Sequence, residues 1–368
     1  MVQNLILAIF VPFCKCAYYN DGIDSDMPII YTREVYSMEH ETIIAAQSEQ
    51  LLLKACHFGA SDLHLVPTKG HYSVLLRKFG KLIHAGNLPD EIAMRIISYL
   101  KYLSALDISE KRKPQSGAFQ KEIEQNMYAF RISTLPSVFA KESIVVRVLR
   151  QNFAYPLASL CYYPQTAHLL SKLVQHSQGL LLVTGATGSG KTTTLYSLVQ
   201  YCRTALSRHV ISLEDPVESS QEELLQIQVN ERAGVTYAAG LKAILRHSPD
   251  VIMIGEIRDR ETAKIALEAA LTGHLVITTV HAKDTVNCLY RLMDLNISIE
   301  ELRQALVGIV AQTLVDIEQL DERKALFEIL SDEELSAAIF ATMNGDSYLL
   351  SKASTLEEQI VQIQRLRV

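Results

Sequence analysis

The sequence predicts an α/β protein: a sheet of parallel strands covered by helices, preceded by a smaller α+β domain. Two observations carry this. Past residue 166, short apolar runs alternate with helical patterns, which builds a parallel sheet with helices on both faces. Four of these runs, Leu180–Thr184, Val210–Leu213, Val251–Ile254 and Leu275–Val280, each end in polar chemistry: Gly185–Lys191, then Glu214 and Asp215, then Glu256, then His281. Ligands of open α/β sheets bind outside the carboxyl ends of the strands, so the polar ends predict one shared site.

Before that sheet, the apolar residues Leu51, Leu52, Ala55 and Phe58 fall at helical spacing from Ser48, and Gly59 stops the helix. Ser61–Val66 alternates as a strand, and Val74–Leu76 and Lys81–Ile83 flank Gly80 as a hairpin. A helix over Pro89–Ala105 and strands over Met127–Ser133 and Ser143–Leu149 complete an α+β domain at 48–150. Pro156 and Pro164 mark 151–165 as a linker, 166–281 is the sheet core, and 282–368 is expected to be helical throughout, with Ser354-Thr355-Leu356-Glu357 as a capping box. Residues 1–47 form an N-terminal extension. Its apolar run Leu5–Cys14 is far shorter than the roughly 20 residues that span a bilayer, and no Lys or Arg precedes it as in a signal peptide. Either translation begins at Met38, where regular patterning starts, or the extension is a short membrane-associating segment.

The length of 368 residues suits two domains plus an extension, and 48% hydrophobic with 21% charged residues is the balance of a globular protein. The net charge of −6 supplies no field for nucleic acid, so no direct nucleic-acid binding is expected. The six cysteines, Cys14, Cys16, Cys56, Cys161, Cys202 and Cys288, form no CxxC pair; they read as free thiols, and no zinc site is expected.

The chemistry starts at Gly185-Ala186-Thr187-Gly188-Ser189-Gly190-Lys191-Thr192, which fits GxxxxGK[ST]. Glycines let backbone N–H groups approach phosphate oxygens, Lys191 reaches the β- and γ-phosphates, and Thr192 ligates Mg²⁺. The helix that follows, Thr193–Tyr201, turns its positive end to the phosphates. Such a loop needs an acidic partner from a neighbouring strand; Glu256, closing the buried run Asp250–Ile254, faces Mg²⁺ or the attacking water. Asp259 reads first as an N-cap for the following helix. Glu214-Asp215-Pro216 offers a second carboxylate, Glu214, to polarise water, against an Asx-type turn held by Asp215; which of Glu214 and Glu256 is the base stays open. His281 stands at the phosphate edge as a γ-phosphate sensor. His274, at the other flank of the same strand, reads equally as sensor or as structure.

These segments resemble a family. Gly185–Thr194, Leu213–Glu218, Leu245–Asp259 and Thr272–His281 are similar to the Walker A, Asp box, Walker B and His box of the type II/type IV secretion ATPases, and Asp62-Leu63-His64 and Arg131–Pro136 to motifs of that family's N-terminal domain. The likeness covers about residues 48–315. It implies a RecA-like P-loop NTPase domain behind a smaller PAS-like α+β domain, ATP and Mg²⁺ as cofactors, and a homo-hexameric ring docked on a polytopic membrane platform protein. Such a motor sits in the cytoplasm, peripheral to the inner face of the membrane. The resemblance also brings arginines of the N-terminal domain near the nucleotide: Arg131 and Arg147, with Arg77 as a third, each otherwise a solvated strand-face residue. Several family features are missing: the long N-terminal extension and zinc tetracysteine of assembly ATPases, the C-terminal signature of retraction ATPases, and the usual Gln-Arg-Leu, here Gln312-Thr313-Leu314. Within the family the chain is most similar to the competence pseudopilus ATPases of Gram-positive bacteria, which implies a motor for DNA uptake. The alternatives are an ATPase of a related type IV pilus or type II secretion system, or a regulatory nucleotide-binding protein with little turnover.

Overall fold

The structure, a computed structural model, describes residues 33–138, 141–151, 154–221, 223–317 and 322–366; the apolar run Leu5–Cys14 lies outside them. The chain divides into two compact units, Met1–Gln151 and Asn152–Val368.

The first unit is an antiparallel sheet backed by two helices. The strands β1 (Asp62–Pro67), β2 (His71–Lys78), β3 (Lys81–Pro89), β4 (Gln115–Ile123), β5 (Asn126–Pro136) and β6 (Glu142–Arg150) lie in the order β3-β2-β1-β6-β5-β4. Alternation decides which face is covered: Leu63, Leu65, Val74, Ile132, Ile144 and Val146 pack under α1 (Arg33–Phe58) and α2 (Asp90–Leu103) against Leu52, Ala55, Ile96 and Leu100. α1 begins well before the expected Ser48. At the end of α2 the fully buried Lys101 donates to Glu110 O and to both Glu142 oxygens, at 2.7, 2.9 and 3.2 Å, so its charge is paired where it would otherwise be costly.

The second unit is a mixed sheet in the order β13-β12-β7-β11-β10-β8-β9. The predicted runs are strands β7 (Gly179–Thr184), β8 (Val210–Glu214), β10 (Val251–Ile254) and β11 (Leu275–Val280); β9 (Leu225–Gln228) adds an edge. All of these pair in parallel, so their carboxyl ends share one rim. Helices cover both faces. In β7, Leu180 and Leu182 point into one buried cluster and Leu181 and Val183 into the other. The segment before β7 carries two short helices, α3 (Leu157–Leu160) and α4 (Pro164–Leu173); α5 (Lys191–Thr204) follows the loop after β7. Further along lie α6 (Tyr237–Ile244), α7 (Arg260–Leu271), α8 (Thr285–Asp294), α9 (Ile299–Ala305), α10 (Asp332–Met343) and α11 (Leu356–Leu366).

The expectation of an all-helical C-terminal region is corrected here. It holds α8 to α11, but between them runs a hairpin, β12 (Leu306–Ile317) and β13 (Glu322–Ser331), with β12 parallel to β7 and antiparallel to β13. A strand covered on both faces is apolar on both, so Leu306, Ile309, Val310 and Ala311 show no period-2 signal. The cap of α11 is also one residue later than expected: Thr355 Oγ1 accepts from Glu358 N at 3.4 Å. Buried Glu328 on β13 accepts from Thr285 N and Oγ1 and from Leu356 N, capping the first turns of α8 and α11 with one carboxylate.

Candidate functional site

Every buried strand of the parallel set delivers its last residue to the same rim, and a cavity of about 230 Å³ lies there, lined by Lys191, Thr192, Glu214, Asp215, Glu256 and His281 among others. The loop Gly185–Thr192 links β7 to α5. Two of its glycines are needed for close approach as well as for their backbone angles. Gly185 has φ 142°, and a Cβ there would lie 2.4 Å from Gln312 O; Gly190, at φ 87°, caps α5, and its Cβ would lie 2.9 Å from Gln312 Nε2. Lys191 Nζ donates to Gly185 O and Ala186 O at 2.8 and 2.9 Å. Burial lowers its pKa, against the opposing pull of Glu256 and Glu218. Ser189 Oγ is buried with no partner among the described residues. Loop glycines, a partly desolvated ammonium and an orphan hydroxyl together fit a phosphate chain with its metal.

β12 is the floor of this loop, and sequence reasoning missed it. Gln312, 2% exposed, donates from Nε2 to Ser189 O at 2.7 Å and accepts at Oε1 from Thr194 Oγ1 at 2.8 Å. The only signal was its place in a family motif, two residues before Leu314.

The acids of the site separate by environment. Glu256 follows β10, and its carboxylate pairs with Arg258 and lies 3.4 Å from His281 Nε2; Arg258 reaches Asp215 at 3.7 Å. Glu214 is 3% exposed and surrounded by donors: Tyr196 Oη at 2.5 Å, Ser212 Oγ at 2.7 Å and Gln226 Nε2 at 3.0 Å. Burial first, and then the Glu214 charge, raise the Tyr196 pKa strongly, so the phenol stays a donor. Tyr196 Oη also accepts from Ser219 N at 3.3 Å, so the turn Asp215–Glu218 is tied down on both sides. Glu218, which sequence reasoning passed over at the end of its motif, is exposed and lines the cavity. Asp259 is the N-cap of α7, accepting from Thr262 N at 2.8 Å.

Within this unit, His274 is not brought to the cavity. His274 precedes β11 and His281 follows it, about 20 Å apart at the rise of a strand. The His274 ring sits 3.2 Å from Ala269 O, and its carbonyl accepts from Gly179 N at 3.0 Å, which is a structural position at the opposite rim. Arg131 and Arg147 belong to the first unit. The register aligns Arg77, Asp62, Arg147 and Arg131 across β2, β1, β6 and β5. Buried Asp62 accepts from Arg147 Nε at 3.0 Å and lies 3.8 Å from Arg77 Nε. Among the described residues no group of three or more His, Cys, Asp or Glu is arranged to hold a metal ion, and no helix is long and apolar enough to cross a membrane.

Comparison with known proteins bears on this arrangement. A family model described as "Type II/IV secretion system protein" matches residues 37–349. Competence protein ComGA of Bacillus subtilis (strain 168) is 47% identical over 270 residues, 73% of this chain and 76% of its own. ComGA of Halalkalibacterium halodurans is 40% identical over 324 residues, 83% of this chain and 92% of its own. The crystal structure of the pilus retraction motor PilT with bound ADP superposes with a TM-score of 0.61 at 26% identity, covering 84% of this chain and 94% of that one. The RecA-like α/β fold and the loop chemistry agree with these likenesses: the chain belongs to the type II/IV secretion system protein family and is a P-loop ATPase that hydrolyses ATP.

Proposed function

We propose that this chain is a motor ATPase of a homo-hexameric ring that powers assembly of a competence pseudopilus for DNA uptake. The observation that carries the reading is the pair of relatives named as competence proteins, similar over most of both chains. The ring sits at the inner face of the cell membrane and pushes on a polytopic platform protein.

In this reading the amides of Gly185–Lys191 and the Lys191 ammonium hold the phosphates of ATP, and the Thr192 hydroxyl and Glu256 hold Mg²⁺ or its waters. Bound Mg²⁺ supplies charge neutralisation at the β- and γ-phosphates. A water attacks Pγ, the bond to the β-bridging oxygen breaks, and a carboxylate of the rim takes the water's proton. Glu256 is assigned that rim position. Glu214, held by its three donors, shapes the turn that presents Asp215 and Glu218. His281, beside Glu256, reports the γ-phosphate. The guanidiniums of Arg131 and Arg147 are supplied by a neighbouring subunit, where an arginine finger is worth about 10³–10⁵ in rate.

The test is genetic and biochemical. In a transformable host with this chain as its only copy, Lys191→Ala is expected to abolish ATP hydrolysis and DNA uptake together; normal uptake would overturn the motor reading. Mixing Lys191→Ala with Arg131→Ala subunits is expected to restore part of the turnover, because the two defects fall on different sides of a shared site. Confirmed co-assembly without rescue would count against a site built between subunits.

A further inference from the structure

We infer that the Tyr237 hydroxyl is a water-positioning group of the nucleotide cavity, holding, together with Glu256, the water that attacks the γ-phosphate. The inference rests on the assignment of Glu256 to that water.

Tyr237 is the first residue of α6 and lines the same cavity as Lys191 and Glu256. Its Oη is buried and makes no hydrogen bond with any described residue. Phenylalanine would fill the same space without hiding an unpaired hydroxyl from solvent, and natural interiors pair nearly all such groups. An orphan of this kind needs a purpose, and its position supplies one. A Cβ added at Gly255 would lie 3.4 Å from Tyr237 Oη and 3.5 Å from Glu214 Cα, so the oxygen sits beside the peptide that leads into Glu256. Burial, followed by the charges of Asp215 and Glu256, pushes the phenol up to about 12. It therefore stays a neutral O–H, both donor and acceptor, at any working pH. A water donating one proton to a carboxylate and accepting from this hydroxyl keeps a lone pair for phosphorus.

The experiment is Tyr237→Phe in the full chain, beside Glu256→Gln. The expected result has three parts: kcat falls by roughly tenfold, the loss of one hydrogen bond made in the transition state; the Kd for a non-hydrolysable ATP analogue stays within about twofold; and the melting temperature without nucleotide is unchanged or higher, because an orphan has been removed. A merely structural tyrosine would move the last two and spare the first. An unchanged kcat, or a loss accounted for by weaker binding, overturns the inference. If Glu256→Gln itself keeps its turnover, the assignment of Glu256 fails and the inference falls with it. If Glu256→Gln is inactive while Tyr237→Phe turns over normally, only the inference fails.

Discussion

Gln312→Ala tests whether the C-terminal hairpin supports the phosphate loop. The substitution removes two buried hydrogen bonds, to Ser189 O and from Thr194 Oγ1. At a net 0.5–1.5 kcal/mol each, plus the void left by the side chain, the expected loss is about 2–4 kcal/mol. For a unit of this size 1 kcal/mol moves the melting temperature by about 2–4 °C, so the shift should be about 4–16 °C. Stability alone does not identify a loop support; the response to ligand does. An ATP analogue at 100 times the wild-type Kd stabilises by about 2.7 kcal/mol, and a variant with tenfold weaker affinity loses about 1.4 kcal/mol of that. Differential scanning fluorimetry across an analogue titration reads both quantities. Gln312→Glu should be worse than alanine, because it turns a carboxylate oxygen toward Ser189 O. Melting within 1–2 °C of wild type, or a large shift with ligand stabilisation intact, would refute the idea that Gln312 holds the loop.

Glu256→Gln should bind ATP normally and lose turnover by about 10²-fold or more, measured by phosphate release. Glu214→Gln should instead destabilise by about 1–3 kcal/mol, because an NH₂ now faces one of three donors; equal melting curves for the two variants would contradict their separation. His64 gives a pH signature in the first unit. Burial lowers its pKa and its Nε2 has no described partner, so below about pH 6.5 the unfolded chain takes up a proton that the folded chain resists. Stability should therefore fall as pH drops from about 6.5 toward the lower folded value, and be unaffected above it. His64→Gln should flatten that slope in denaturant titrations; an unchanged slope would assign the sensitivity to another group.

The nucleotide cavity was legible because its residues sit at the ends of short, fully apolar runs. Gly185–Thr192, Glu256 and His281 follow directly on β7, β10 and β11, and parallel pairing delivers them to one rim. Local order along the chain was enough to predict their company. What failed was decided across the sheet. β4 and β9 lie at sheet edges, where half-buried or exposed residues such as Gln115, Gln120 and Gln226 carry no apolar period. β12 failed for the opposite reason, being covered on both faces. Glu214 could not be told from Glu256 by sequence: each closes or follows a strand at the rim, and only tertiary packing shows that one meets Tyr196, Ser212 and Gln226 while the other meets Arg258 and His281.

The place of β12 beside β7 has a consequence for how the protein is made. The phosphate loop leaves the ribosome early, but Gln312 and the strand beneath the loop come 127 positions after Gly185 (312 minus 185). At about 5–20 residues per second, the loop waits about 6–25 s for its floor. In the last part of that interval, once β11 has been made, β7 carries one unpaired edge in a chain that already holds Gly185–Thr192, Glu256 and His281. In the finished fold the loop leans on Gln312 through Ser189 O and Thr194 Oγ1, so a chain released before Leu306 would carry every phosphate-loop residue without that support.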